Sequence, residues 1–110
     1  MGTAVPDVIA RYFAADARHD FDAVIAEFAN DAVVIDEGET RRGAAEIRAW
    51  KESTSAQYEY TTELLGAEPD GEDAFLVTGR LEGTFPGGVA VLKWRFGLTG
   101  GRISRLEIAP

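Results

Sequence analysis

Apolar residues recur at helical spacing near the start of the chain. One such face lies within residues 3–17 and is formed by Val5, Val8, Ile9, Tyr12 and Phe13. This spacing predicts an amphipathic helix that turns Tyr12 and Phe13 towards the core. Asp20 is a suitable N-cap, and it predicts a second, short helix over residues 21–28.

The next apolar run ends in an acid. Residues 32–36 predict a strand with Ala32, Val34 and Asp36 on one face and two apolar side chains on the other. Residues 37–42 are polar and predict a loop. A third helix follows over residues 44–53, with Trp50 on its inner side and Lys51 on its outer side.

The second half of the chain alternates between apolar and polar positions. It predicts four antiparallel strands over residues 57–67, 74–85, 89–98 and 102–108. Gly79 and Gly83 share one strand face, which indicates bending or room for a neighbour or a ligand. The order α-α-β-α followed by four strands predicts one α+β domain over residues 1–110, with the helices on one face of a curved sheet.

Charge and composition exclude several classes of function. The 110 residues include 11 basic and 19 acidic side chains, giving a net charge of -8. This acidity argues against nucleic acids and anionic membranes as partners. With no cysteine and one histidine, His19, the chain predicts no disulfide, thiolate chemistry or metal centre, and we expect no cofactor. The first ten residues are not typical of a signal peptide and no run predicts a membrane span, so we expect a cytoplasmic protein.

Four short motifs in order resemble the nuclear transport factor 2-like superfamily. They are Ala10-Arg11-Tyr12-Phe13, the stretch from Phe28 to Val34, Arg42-Gly43-Ala44-Ala45-Glu46-Ile47, and Arg95-Phe96 followed by Gly101-Arg102-Ile103. This superfamily includes ketosteroid isomerases and SnoaL-like polyketide cyclases. The resemblance covers nearly the whole chain and implies a cone-shaped antiparallel sheet wrapped around three helices, with a pocket inside.

The resemblance also implies roles for single residues. Asp36 matches the position of the general base of the isomerases, and Tyr12 matches the phenol that donates to a developing oxyanion. A base of this kind removes a proton next to a carbonyl group. The position of the second acidic donor falls on Leu92, which cannot donate a hydrogen bond, so authentic steroid isomerisation is not expected.

Two kinds of function remain open. One is a cofactor-independent isomerase or cyclase with Asp36 as base and Tyr12 as donor. The other is a non-catalytic module that binds an apolar or cyclic ligand or dimerises, in which Asp36 caps the following loop. Both predict an aromatic and apolar lining, formed by Trp50, Tyr58, Tyr60, Leu92, Trp94 and Phe96.

The outward face of the strand predicted over residues 89–98 indicates a protein partner. Val89 and Val91 lie there beside Lys93 and Arg95. An apolar sheet face that the chain itself does not cover is a natural dimer surface, and the resembling family commonly pairs through its sheet. We therefore expect a homodimer.

Overall fold

A computed structural model describes residues 5–110, so Thr3 and Ala4, where the first helix was expected to begin, lie outside the described residues. The elements in chain order are α1 (Asp7–Ala17), α2 (Phe21–Ala26), β1 (Phe28–Asp36), β2 (Glu39–Arg42), α3 (Gly43–Gln57), β3 (Tyr60–Pro69), β4 (Ala74–Gly83), β5 (Val89–Thr99) and β6 (Arg102–Ala109). No helix within residues 5–110 is both long and apolar enough to cross a membrane.

The strands form one curved, unclosed sheet in the order β2-β1-β6-β5-β4-β3. β3 to β6 form the antiparallel meander that the sequence predicts, and the α+β fold is confirmed. The sheet is mixed, because β1 runs parallel to β6. A single core is buried between the helices and the inner face of the sheet. Its fully buried side chains include Ile9, Tyr12, Val24, Val34, Ile47, Val77, Phe96 and Leu106.

The predicted loop over residues 37–42 is wrong in its second part. β2 pairs antiparallel with β1 from Asp36↔Glu39 to Val33↔Arg42. The connection has two residues, and both Glu37 (φ 54°) and Gly38 (φ 76°) adopt the left-handed conformation. Such a turn matches the twist of a hairpin. Asp36 therefore lies at the closed end of a hairpin.

Two boundaries near β1 also differ from the prediction. α2 has Asp20 as its N-cap, as expected, with the Asp20 carboxylate accepting from Ala23 N at 3.1 Å. The helix ends at Ala26, and Phe28 already pairs with Ile103 of β6. The register of this pairing shifts between Phe28 and Val33, so Asn30 and Asp31, which lie between the predicted helix and the predicted strand, belong to β1 as an irregularity. Tertiary pairing thus extends the strand beyond its apolar run.

α3 is longer than predicted, and one of its faces was assigned wrongly. The helix continues to Gln57, and β3 begins only at Tyr60. Lys51 was expected on the outer side but is 4% exposed. Ile47, Trp50 and Lys51 are spaced three and four residues apart, so they share one helical face. That face packs inward, and Lys51 is carried with it.

The room left by Gly79 is taken by a neighbouring side chain. A Cβ at this position would lie 2.8 Å from Cζ3 of Trp94 and 3.1 Å from the carbonyl oxygen of Glu63. A Cβ at Gly83 would collide with the backbone of Glu59 and Tyr60. Of the options that the glycines left open, close approach of a neighbour is therefore the one observed.

We predict that Gly79→Ala destabilises the fold by about 1–3 kcal/mol, because the new methyl group overpacks against Trp94. Gly66→Ala is the matched control: Gly66 lies on β3, and a Cβ there meets nothing within 4 Å. Urea denaturation would compare the two variants with wild type. Equal unfolding midpoints for all three proteins would contradict this account of Gly79.

Candidate functional site

A cavity of about 500 Å³ lies between α3, the hairpin end of β1 and the strands of the sheet. The apolar part of its wall comes from the sheet and the β4–β5 loop, and the polar part comes mostly from α3 and residues near it. The lining residues are Asp16, Asp36, Glu37, Arg41, Trp50, Lys51, Ser53, Thr54, Gln57, Tyr58, Tyr60, Thr62, Leu81, Phe85, Pro86, Ala90, Leu92, Trp94 and Ile108. A space of this size matches those that hold small organic ligands.

Asp36 lines this cavity and is held there by Trp50. The indole Nε1–H of Trp50 donates to Oδ2 of Asp36 at 2.9 Å. Within residues 5–110 no side chain or backbone N–H donates to Oδ1. One carboxylate oxygen is thus positioned while the other keeps its lone pairs available. The carboxylate does not cap the following turn.

The backbone around Asp36 is anchored by Arg41. The guanidinium of Arg41 donates to the carbonyl oxygen of Asp36 at 3.2 Å and pairs with the carboxylate of Glu39 at 3.0 Å. These contacts brace the end of the hairpin. Arg41 is therefore held at the rim of the cavity by partners within the hairpin.

A buried polar cluster forms a second chemical feature of the cavity. Nζ of Lys51 lies 2.9 Å from Oδ1 of Asp16, and the two side chains are 5% and 9% exposed. The hydroxyl of Tyr60 donates to Oδ2 of the same carboxylate at 3.2 Å. Asp16 therefore joins α1, α3 and β3. Burying two charges is tolerated only when they are paired and hydrogen-bonded, as they are here.

Lys51 also lies over two aromatic rings. Its Nζ is 4.5 Å from the ring centroid of Trp50 and 5.1 Å from that of Tyr12. A cation over an aromatic face is attracted by the ring quadrupole, more strongly where water is excluded. The Trp50 indole therefore binds a carboxylate at its N–H edge and an ammonium group over its face.

The two tyrosines near Asp16 remain neutral at ordinary pH. Burial, opposed by the Lys51 charge and reinforced by Asp16, raises the pKa of Tyr60 to about 12. Burial, together with the charges of Asp16 and Asp36, raises the pKa of Tyr12 well above its ordinary value. Both phenols are therefore hydrogen-bond donors rather than bases.

Tyr12 does not line the cavity. Its ring packs edge-to-face against Phe13, Phe28 and Phe96 in the core. Its hydroxyl is buried and has no hydrogen-bond partner among residues 5–110. The helical spacing correctly predicted that Tyr12 points inward, but it could not separate the core from the cavity wall.

Of the lining predicted from the sequence, five residues reach the cavity: Trp50, Tyr58, Tyr60, Leu92 and Trp94. Phe96 does not; it is 1% exposed and packs with Tyr12 and Phe13 instead. Alternation places Phe96 on the same strand face as Leu92 and Trp94, but it lies further along β5, where the helices fill the inside of the sheet.

Several polar lining residues were not predicted from the sequence. Thr54 and Gln57 contribute because α3 continues beyond its predicted end, and Ser53 contributes from the last predicted helical position. Asp16 and Lys51 were missed because charged side chains are mostly exposed. Their spacing carried a signal, since Asp16 follows Tyr12 by four residues and Lys51 follows Ile47 by four. The one histidine, His19, is exposed.

Within residues 5–110 no group of three or more histidine, cysteine, aspartate or glutamate side chains is placed to hold a metal ion. The polar groups of the cavity wall are carboxylates, phenols, hydroxyls, one amide, one indole N–H, one ammonium and one guanidinium. This set can move protons and donate hydrogen bonds.

A curved sheet wrapped around three helices is the nuclear transport factor 2-like fold. The chain belongs to the SnoaL-like domain family, whose profile matches residues 9–106. The family resemblance inferred from the sequence is thereby confirmed. A comparison with curated proteins finds no match.

Solved structures agree with this assignment. A candidate polyketide cyclase from Sinorhizobium meliloti is 40% identical, with a TM-score of 0.91 over 96% of this chain and 95% of that one. A second candidate polyketide cyclase, from Pseudomonas putida, is 19% identical with a TM-score of 0.83, over 99% and 92% of the two chains. A protein from Catenulispora acidiphila with a ketosteroid isomerase-like fold, solved with trimethylamine, is 21% identical with a TM-score of 0.87, over 97% and 87%. The last two show the fold alone.

Proposed function

We propose that this protein binds a small apolar or cyclic carbonyl compound and catalyses proton transfer on it without a cofactor, with Asp36 as the general base. The observation that carries the proposal is the Asp36 carboxylate on the cavity wall, positioned through Oδ2 by Trp50 while Oδ1 accepts nothing within residues 5–110. The similarity to a candidate polyketide cyclase at 40% identity supports the same reaction class.

The chemistry follows from that carboxylate. Oδ1 of Asp36 takes a proton from a carbon next to the carbonyl group, and the C–H electron pair becomes the C=C bond of an enolate. The carbonyl π pair moves to the oxygen. When the ligand carries a C=C bond next to the carbon that loses the proton, the enolate extends over it as a dienolate, and return of the proton from Asp36 to the far carbon gives an isomerase. When the enolate carbon instead attacks a second carbonyl of the same molecule, a C–C bond forms, the π pair of that carbonyl moves to its oxygen, and this oxygen takes the proton back from Asp36, which gives a cyclase.

The apolar wall supports a hydrophobic body for this ligand. Leu81, Leu92, Trp94 and Ile108 line one side, with Tyr58 and Phe85 at the β4–β5 end, where their rings pack edge-to-face. Such a lining favours a ring system with few polar groups. The same wall supports the second candidate function, a module that binds this ligand without turning it over, because Leu92 stands where a second acid would donate.

We predict that Asp36→Asn lowers the rate of deuterium exchange into 2-tetralone by about 10²–10⁴-fold, the usual contribution of a general base. 2-Tetralone is a bicyclic ketone with exchangeable protons next to its carbonyl group, and NMR in D₂O follows the exchange without knowledge of the natural substrate. Asparagine keeps an oxygen that can accept from Trp50 Nε1, so the cavity should be preserved.

The matched control is Asp31→Asn, which removes an exposed carboxylate from the same strand and should leave the rate at the wild-type value. If wild type binds 2-tetralone yet exchanges it no faster than Asp36→Asn, the binding module is the correct function. Tyr12→Phe in the same assay examines the donor role expected from the family resemblance. Because that hydroxyl lies outside the cavity wall, we expect most of the exchange rate to remain.

We further propose that a second copy of the chain covers the outer face of the sheet. Val89, Val91 and Leu65 are 47%, 52% and 50% exposed there. Across the β4–β5 pairing, Arg80 lies opposite Val91 and Glu82 lies opposite Val89. Apolar residues flanked by both charge signs suit a two-fold interface, where each arginine can face the partner's acid. A stable dimer needs about 800 Å² from each copy.

For this dimer we predict that light scattering on a size-exclusion column gives twice the mass of one chain at micromolar concentration. Val91→Glu should give the monomer mass, because it replaces an apolar contact at the centre of the interface with a charge that must lose its water on association. Ala45→Glu adds the same charge at an exposed position of α3 and should remain dimeric. A monomer mass for wild type would reject the interface.

A further inference from the structure

We propose that Lys51 is the oxygen-binding group of the cavity: its ammonium binds the ligand's carbonyl oxygen and stabilises the negative charge that this oxygen gains when Asp36 removes the proton. The first half of this proposal concerns binding alone. The second half rests on the proposed function. The charges of the cavity wall also restrict the class of ligand.

Lys51 has more hydrogen-bond donors than its partner in the chain occupies. An ammonium group has three N–H donors. Within residues 5–110 its one carboxylate partner is Asp16, at 2.9 Å. The other oxygen of Asp16 accepts from Tyr60 at 3.2 Å, so Asp16 is occupied on both sides. Lys51 lines the cavity with donors left to offer, and a ligand oxygen is the acceptor that the cavity can admit.

Lys51 is held at a fixed position relative to Asp36, the proposed base. Asp36 contacts the N–H edge of the Trp50 indole at 2.9 Å, and Nζ of Lys51 lies 4.5 Å from the centroid of the same ring. One rigid side chain therefore fixes where the base and the cation stand relative to each other. Proton abstraction next to a carbonyl needs such a pair, because charge leaves the carboxylate and appears on the oxygen.

Leu92 leaves the cavity without the second acidic donor. The family resemblance places a second acidic donor there, and leucine cannot fill that role. Tyr12 does not fill it either, because its hydroxyl lies outside the cavity wall. Lys51 supplies a stronger donor from a different element, since hydrogen bonds from a charged donor are roughly twice as strong as neutral ones.

The charges of the lining restrict the ligand. Three carboxylates (Asp16, Asp36 and Glu37) face two cations (Arg41 and Lys51), so the wall carries an excess of one negative charge. A carboxylate ligand would be repelled, whereas a neutral ketone or phenol would not. Once Asp36 has accepted the proton, the excess is cancelled and an enolate is tolerated. The ligand class is therefore a neutral, enolisable carbonyl compound with an apolar ring body.

The competing interpretation is that the Asp16–Lys51 pair only ties α1 to α3. An experiment on stability cannot separate the two interpretations, because breaking a buried ion pair destabilises the fold under both. A spectroscopic signal from a bound oxyanion can. 2-Naphthol is a suitable probe, since its neutral and anionic forms have different absorption and fluorescence spectra and its ring resembles the proposed ligand body.

The measurement uses Asp36→Asn, whose uncharged amide imitates the protonated base. In this variant we expect the ratio of naphtholate to naphthol in the bound probe to be at least tenfold higher than at the same pH in water. Adding Asp16→Asn and Lys51→Met together removes both buried charges, and the ratio should return to the value in water or below. Lys93→Met, on the exposed outer face of β5, should leave the raised ratio unchanged.

A second measurement avoids dependence on the folding of the triple variant. The chain has two lysines, Lys51 and Lys93, so ¹⁵N-labelled lysine gives two side-chain signals. We expect 2-naphthol to shift the Lys51 signal and not the Lys93 signal in Asp36→Asn. An equal naphtholate ratio with and without Lys51, or an unshifted Lys51 signal at saturating probe, overturns the proposal.

These outcomes are separable from those of the exchange assay. Exchange that depends on Asp36, combined with a naphtholate ratio indifferent to Lys51, removes only the role of Lys51. A raised ratio combined with no Asp36-dependent exchange keeps Lys51 as a binding residue and removes the proposed reaction.

Discussion

One buried ion pair holds together the elements that form the cavity. Asp16 lies near the end of α1, Lys51 in the middle of α3, and Tyr60 at the start of β3, and a single carboxylate contacts both partners. Loss of one member would leave a buried charge unpaired, at a cost of about 3–5 kcal/mol. A small domain has about 5–15 kcal/mol of stability in total, so removing either partner alone would cost a large share of it.

Trp50 connects this ion pair with Asp36 at the opposite end of the cavity. Its indole receives the Lys51 ammonium over one face and donates from its edge to Asp36, which lies at the closed end of the β1–β2 hairpin. Asp16 and Asp36 therefore differ in their surroundings. Asp16 is saturated by a cation and a phenol, whereas Asp36 has one committed oxygen and one available. This difference in hydrogen bonding is the reason why we propose Asp36 for proton transfer and Asp16 for positioning.

Periodicity predicted what depends on which side of an element faces inward. It predicted the α+β order, the meander and the inward direction of Trp50 and Trp94, and it placed Asp36 at the end of an apolar strand. It could not say how deep each inward residue lies, so Phe96 was grouped with the lining although it belongs to the core. Periodicity also failed where the tertiary structure overrides local preference. The Glu37-Gly38 turn has no strong hairpin signal in the sequence. Lys51 was predicted to be exposed because a lysine without a partner is normally found at the surface. Its partner, Asp16, is 35 residues away in the chain, and no local pattern connects the two.

We propose above that the cavity holds a cyclic ligand whose oxygen accepts a hydrogen bond from Lys51 and whose ring packs on the apolar wall. A crystal structure of Asp36→Asn with 2-naphthol tests this most directly. The account predicts the naphthol oxygen at ~2.7–3.1 Å from Nζ of Lys51, the range of a charge-assisted hydrogen bond, with the ring against Leu92 and Trp94. A probe bound in the cavity with its oxygen turned away from Lys51, or bound only outside the cavity, would contradict the account.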